Sequence, residues 1–224
     1  MKGRNPNCGM FGSEMTTEEL ALVTAELKAR HFTRLHLEIG TGYGGTLREL
    51  LLCYPSNACP PFVVVDPMNY FPEQLENVRK NLRQHELADA PVTFEVKTSD
   101  AAFANWAGRE ETFDFILIDG IHKLRYTVRD LRWSRMLAVG GLLCLHDYKP
   151  KFPGVMMAVQ RFLKRNPHFQ KVELAGGLMV LTKTAPAAEQ EITLVDRFWS
   201  EFHSLRLQVQ SRLHKRWHQW TRKQ

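Results

Sequence analysis

Two hydrophobic rhythms alternate along this chain. Strand-type runs, alternating or continuously apolar, fall at residues 32–37, 62–66, 91–96, 113–118 and 140–145. The stretches between them carry apolar residues at helical spacing. A helix is expected over 17–30, with Leu20, Val23 and Leu27 on one face behind the start Thr17-Glu18-Glu19. Others follow from Thr46 to about residue 52, over 73–88 with Leu75, Val78, Leu82 and His85 at helical intervals, up to Trp106, through about Met136, and over 155–165. Two short strands, 169–174 and 178–182, flank Ala175-Gly176-Gly177 with hairpin spacing. Strand–helix alternation predicts a doubly wound α/β fold with a mostly parallel sheet. The run Phe62-Val63-Val64-Val65 suits a strand covered on both faces. The expected division is an irregular, mobile start with a cap helix (1–31), an α/β domain (32–183), and a linker with one long helix (184–224).

Composition changes this picture little. A chain of 224 residues with 44% hydrophobic and 24% charged residues suits one globular domain with a full core. The first residues show no apolar leader segment, and no run approaches a membrane span, so a cytoplasmic protein is expected. Cys8, Cys53, Cys59 and Cys144 lack metal-type spacing and fit a reducing compartment. Charge is more informative. The net +6 comes from the end of the chain: from His203 onward there are six basic residues and no acidic one, which leaves the preceding 202 residues neutral.

Candidate chemistry gathers where parallel strands would end, because all their carboxyl ends meet at one sheet edge. The first strand runs into Glu38-Ile39-Gly40-Thr41-Gly42-Tyr43-Gly44-Gly45 and then a helix. Such a turn lets a ligand approach the backbone, and the helix start favours a negatively charged group. Two patterns fit it. Gly40, Gly42 and Gly45 satisfy the dinucleotide fingerprint G-x-G-x-x-G. Glu38, Gly40, Gly42 and Gly44 satisfy acid-x-G-x-G-x-G, whose acid suits a ligand carrying an ammonium and a sulfonium. The later strands end in Asp66, in Ser99-Asp100, in Asp119-Gly120-Ile121-His122 and in His146-Asp147-Tyr148.

Taken together, these motifs resemble the class I S-adenosylmethionine-dependent methyltransferases. More narrowly, they resemble the small-molecule O-methyltransferase branch with D-G-x-H after its fourth strand and H-D-Y after its fifth. The resemblance implies a Rossmann-like, seven-stranded sheet with a reversed last strand, and methyl transfer from S-adenosylmethionine. It implies that Glu38, Gly40, Gly42 and Gly44 border the methionine part of the cofactor and that Asp66 binds the ribose diol. It further implies that Ser99 and Asp100 lie by the adenine, and that Asp119 lies where cofactor and acceptor meet. For Asp66 a turn-bracing role competes, and for Asp100 helix capping does.

Asp119, His146 and Asp147 form a candidate site for Mg2+ or another divalent metal, since carboxylates and an imidazole at adjacent strand ends can hold one. Some relatives chelate the acceptor through such an ion, but His146 and Ile121 stand here where many of those carry acids. His122 is the candidate general base, because an imidazole suits proton removal from a hydroxyl. Asp119 and His122 are thus the expected catalytic pair. Two alternatives remain open. One is a Rossmann-type NAD(P)-dependent oxidoreductase, as Asp66 follows Gly45 by 21 residues. The other is an RNA-modifying methyltransferase that uses the basic tail.

The tail carries Val195, Phe198, Phe202, Leu205, Val209, Leu213, Trp217 and Trp220 at three- and four-residue intervals, with Arg206, Arg212, Lys215 and Arg216 opposite. Such a stripe is expected to hold a homo-oligomer together. An anionic membrane surface is the next reading, and nucleic acid the last. The expected partner of the catalytic half is a small-molecule acceptor.

Overall fold

The computed structural model describes residues 11–106, 112–186 and 192–221. Cys8, Arg222 and Lys223 lie outside the described residues. The elements run α1 (Thr17–Lys28), β1 (Leu35–Ile39), α2 (Gly45–Leu51), β2 (Phe62–Val65), α3 (Gln74–Arg83), β3 (Val92–Glu95), α4 (Ser99–Trp106), β4 (Phe113–Ile118) and α5 (Leu124–Asp130). A 3-10 segment (Leu131–Met136), β5 (Leu137–Leu145), α6 (Pro153–Arg165), β6 (Phe169–Ala175), β7 (Leu178–Lys183) and α7 (Leu194–Thr221) follow.

The strands form one seven-stranded sheet in the order β3-β2-β1-β4-β5-β7-β6. β1 to β5 pair in parallel, and β7 runs antiparallel to both β5 and β6. The expected doubly wound sheet with a reversed last strand is therefore present. Period-two alternation divides the core in two. Ile116 and Ile118 of β4 pack with Val128, Trp133 and Phe162 on one face. Phe115 and Leu117 pack with Val23, Leu47 and Val78 on the other. Strand ends at β1, β2, β4 and β5 then converge on one edge, as parallel pairing requires.

Three details differ from the expected elements, each for a local reason. β5 begins at Leu137, because Leu137 pairs with Phe113 before a register shift, and Gly140 (φ +85°) carries the resulting irregularity. α3 ends at Arg83, and Glu86 just beyond it is in the left-handed region at φ +61°. The helix expected through Met136 tightens into 3-10 geometry after Asp130.

Residues 1–10 of the expected mobile start lie outside the described residues, and 11–15 are irregular but pinned. Met15 is 1% exposed. The Phe11 carbonyl accepts from Asn81 Nδ2 (2.9 Å) and Arg48, and the Ser13 and Thr46 hydroxyls bond at 2.7 Å.

The C-terminal helix is also not a free-standing tail. Asp196, Ser200 and Ser204 of α7 are buried, Trp199 and Leu207 pack on the core, and Arg161 Nε bonds Asp196 at 2.7 Å. α7 therefore turns a polar, small-residue face inward against α5 and α6. Its apolar face points outward: Val195, Phe198, Phe202, Leu205 and Val209 are all more than half exposed. The side chains of Leu213, Lys215, Arg216, Trp217 and Trp220 lie outside the described residues.

Candidate active site

The β1–α2 turn is shaped by positive φ at Gly40 (+82°), Gly42 (+53°) and Gly44 (+77°), a conformation that side chains disfavour. Their surroundings give each a different reason to be glycine. A Cβ on Gly40 would come within 2.4 Å of the Asp119 carbonyl oxygen, so Gly40 is set by the neighbouring strand end. A Cβ on Gly42 would meet nothing within 4 Å, which leaves that side of the turn open. Gly45 belongs to neither case. A Cβ there would strike the Gly12 carbonyl at 2.2 Å, so this glycine admits the N-terminal strap across the first turn of α2.

Glu38 lies in β1 with no exposure, and neither carboxylate oxygen has a hydrogen-bond partner in the structure. Burial pushes its pKa up to about 8; Thr41 opposes the shift, and the Asp119 and Asp66 carboxylates add to it. An orphaned buried acid beside an open glycine turn lacks the partner that buried polar groups ordinarily have. Raised acids stabilise a fold fully below their unfolded pKa and lose that contribution as pH rises through the folded value. For Glu38 this loss runs from 4.5 to about 8. We expect the ligand-free chain to lose thermal stability across this window and Glu38→Gln to flatten the decline. Equal pH slopes for the two proteins in thermal denaturation would contradict this assignment.

Asp66 ends β2, and its carboxylate braces two turns: Oδ2 accepts from Thr41 N (3.0 Å), and Oδ1 accepts from Met68 N (2.7 Å) and Gln74 Nε2 (3.3 Å). The bracing role is thus present, and a carboxylate's further lone pairs are what remain for a diol. Asp100 pairs with Arg129 (2.7 Å) and with Arg132, which joins α4 to α5 and the 3-10 segment. The Ser99 hydroxyl accepts from Trp133 Nε1 at 3.1 Å. Sequence reasoning passed over Asp130. It is fully enclosed beneath the Asp119-Gly120 turn, its Oδ2 3.3 Å from where a Gly120 Cβ would stand. Burial pushes its pKa up to about 7.

Two carboxylate–imidazole contacts occupy the edge formed by β4 and β5. In the first, His146 Nδ1 bonds Asp119 Oδ1 at 2.8 Å, while Nε2 faces Glu19 Oε2 of α1 at 3.4 Å. Burial opposes charge on this ring, but Asp119, Glu19 and Asp147 outweigh it and raise its pKa to about 10. In the second, His122 Nε2 lies 3.1 Å from Asp147 Oδ2, and Lys149 Nζ holds Asp147 Oδ1 at 2.5 Å. His122 precedes α5, with its ring 4.8 Å from that of Phe152. Asp147 takes φ +59°, strained for a residue with a Cβ.

The structure therefore brings Glu38, Asp66, Asp119, His122, His146 and Asp147 to one edge, and adds Glu19. A metal was the sequence expectation for Asp119, His146 and Asp147, whose donor atoms do lie within 4.8 Å of one another. An imidazole ligates through a deprotonated nitrogen; His146 Nδ1 lies beside Asp119 Oδ1, and Nε2 faces Glu19 without a hydrogen bond. With Glu19 standing behind Nε2, as a carboxylate does behind many ligating imidazoles, the trio has the donor set for a divalent ion.

Comparison with known proteins places this geometry in context. A family model described as a methyltransferase domain matches residues 37–148. No curated protein matches the chain. Among solved structures, it resembles the O-methyltransferase NovP, with 17% identity, TM-score 0.63, and coverage of 77% of this chain and 82% of that one. It also resembles the O-methyltransferase TomG of Streptomyces achromogenes, solved with SAM, with 17% identity, TM-score 0.57, and coverage of 77% and 82%. A third is an O-methyltransferase of Bacillus cereus solved with SAH, with 17% identity, TM-score 0.55, and coverage of 74% and 79%. These similarities show the shared fold.

Proposed function

The chain belongs to the methyltransferase-domain family as an S-adenosylmethionine-dependent enzyme, and we propose that its acceptor is a hydroxyl oxygen of a small molecule. The observation that carries this reading is the pairing of His122 with Asp147 at the same sheet edge as the unpartnered Glu38. A hydroxyl must lose a proton as it is methylated, and a carboxylate-held imidazole is suited to take it. With Nε2 turned to Asp147, Nδ1 is the nitrogen left to accept that proton. Phe152 packs beside the ring and limits its rotation.

Glu38 would face the ammonium of the cofactor, with the open side of Gly42 admitting it. Asp66 would meet the ribose, Ser99 would border the adenine, and Asp119 would stand between cofactor and acceptor. When bound, the cofactor supplies a methyl group already activated on a sulfonium. The chain's residues then have to hold the acceptor in place and remove its proton. The neighbours solved with SAM and SAH support this choice of ligand.

The oxidoreductase alternative loses its basis, because the matched family is one of methyltransferases and Gly45 serves the N-terminal strap. Calorimetry with S-adenosylhomocysteine and with NAD, followed by a screen of hydroxylated compounds with labelled cofactor, tests the reading. We expect binding of S-adenosylhomocysteine alone and labelling of a hydroxyl. Binding of NAD alone would reverse the choice.

The outward apolar face of α7 supports a second copy of the chain as its partner, since contiguous exposed apolar residues mark interaction sites. We expect light scattering to give an oligomer for the full chain and a monomer for Phe198→Asp/Phe202→Asp. A monomeric parent that pellets with anionic liposomes would favour a membrane surface instead. Among the described residues no helix is long and apolar enough to cross a membrane. Cys53, Cys59 and Cys144 are free thiols, which supports a cytoplasmic setting.

A further inference from the structure

Gln74 opens α3 and is 1% exposed. Its amide is used in full. Oε1 accepts from Tyr70 N at 3.1 Å and from Phe71 N at 3.4 Å, in the loop that follows β2. Nε2 donates to the Gly42 carbonyl at 3.0 Å and to Asp66 Oδ1 at 3.3 Å. The amide fits only this way round: turned over, its NH2 would face two N–H donors, and its oxygen would face a carbonyl and a carboxylate. One side chain thus joins the β1–α2 turn, the β2 end and the loop into α3. That loop is strained, with Met68 at φ +54° and Glu73 at φ +51°, and such conformations persist only where the surroundings hold them. Phe71 also stacks on Tyr43 of the glycine turn, with ring centroids 4.2 Å apart. Anchoring the loop uses only the oxygen of Gln74. Its two donor hydrogens are aimed instead at Gly42 and Asp66.

We propose that Gln74 is a positioning residue for cofactor binding, which holds Asp66 Oδ1 so that the carboxylate presents Oδ2 to the ribose. The proposal rests on reading the β1–α2 turn as the S-adenosylmethionine site. Oδ1 carries two donors, Met68 N and Gln74 Nε2, whereas Oδ2 carries one, Thr41 N. Each carboxylate oxygen has two lone pairs, so the acceptor left over is on Oδ2. A carboxylate turning freely about its Cβ–Cγ bond would spread that acceptor over many directions. The amide fixes it in one before a ligand arrives, which lowers the ordering cost of binding. The second donor of Gln74 fixes the Gly42 carbonyl in the same way, and with it the open side of the turn. Gln74 therefore acts through Asp66 and the Gly42 backbone.

Gln74→Glu is the discriminating variant. It keeps the side chain's length and an oxygen for Tyr70 and Phe71, but it replaces the NH2 donor by an acceptor. Gln74→Met is the second variant, unbranched and apolar, and it serves if a buried carboxylate prevents folding. Calorimetry on the full chain compares S-adenosylhomocysteine with its 2′-deoxy and 3′-deoxy ribose analogues, and thermal denaturation checks that each variant is folded. In the parent, loss of at least one hydroxyl should weaken binding by about tenfold or more, the scale of a hydrogen bond to a charged group. In the variants S-adenosylhomocysteine should bind on the order of tenfold more weakly, while that same deoxy analogue loses less than about threefold, because the coupling between Gln74 and the hydroxyl is already gone. A merely structural role would weaken all three ligands alike, and that result would overturn the proposal. Parental affinity for S-adenosylhomocysteine in the variants would overturn it too. A parent that binds S-adenosylhomocysteine but is indifferent to both hydroxyls would overturn the proposal and leave the cofactor assignment standing. A parent that does not bind S-adenosylhomocysteine would overturn the cofactor assignment itself, and the proposal with it.

Discussion

His122→Ala should lower kcat by a factor of about 10² to 10⁴, the range for loss of a general base, while S-adenosylhomocysteine affinity stays within about twofold. The separation follows from where the ring lies. It is on the acceptor side, against Phe152 and Asp147, whereas Glu38 and the β1–α2 turn occupy the cofactor side. Its side chain is 33% exposed, so removing it opens no core cavity and folding should survive. Asp147→Asn should produce a loss of similar direction, because the amide's single oxygen is claimed by Lys149 or His122 but not both, and its NH2 turned to Nε2 would favour the other ring tautomer. Single-turnover kinetics with a true acceptor and calorimetry with S-adenosylhomocysteine check both halves. A His122→Ala enzyme with parental kcat would remove His122 from the mechanism.

Gly40→Ala should destabilise the fold by more than about 3 kcal/mol, combining left-handed strain of ~1–2 kcal/mol with overpacking of ~1–3 kcal/mol. The added methyl would meet the Asp119 carbonyl at 2.4 Å and the Gly120 Cα at 2.8 Å. Both are backbone atoms of a strand end inside the sheet, and neither can move without disturbing β4. The thermal midpoint should fall by roughly 10 °C for a chain of this size. Gly42→Ala should behave in the opposite way. Its Cβ meets nothing within 4 Å, so only the strain of ~1–2 kcal/mol remains, while S-adenosylhomocysteine affinity should drop by about tenfold, as expected where a ligand touches backbone. Thermal denaturation and calorimetry on the pair decide it. Equal stability losses, or full affinity in Gly42→Ala, would show that the two glycines do not divide the work in this way.

The elements themselves were legible before any coordinates. Strands of four to six apolar residues and helices with Val78/Leu82 or Val23/Leu27 spacing encode their burial locally, since period two and period 3.6 are properties of a short segment. Parallel topology then brings Glu38, Asp66, Asp119 and His146 to one edge, so most of the site followed from strand endings alone. The functions of individual side chains did not follow. Asp100 matched a motif position, and only the fold shows that Arg129 and Arg132, on the following elements, pair with its oxygens. The α7 stripe was legible as an apolar face, and its residues from Val195 to Val209 are exposed. That the opposite face, with Asp196 and Ser200, docks on the domain required knowing that Arg161 stands across from it.

Glu19 shows the boundary most clearly. Locally it completes a capping box with Thr16, and that role is complete in four residues. Its bond to Gly177, 158 positions away, and its contact with His146 exist only because the sheet brings the β5 end and the β6–β7 turn under α1. The same holds for His146. Its chemistry as a residue permits either a metal ligand or a cation, and only the fold shows that Asp119 and Glu19 stand at its two nitrogens. Local pattern determines which segments bury which faces, because burial is set by periodic neighbours in the chain. Charge state and partnership depend on groups distant in sequence, and the folded sheet alone decides which of them meet.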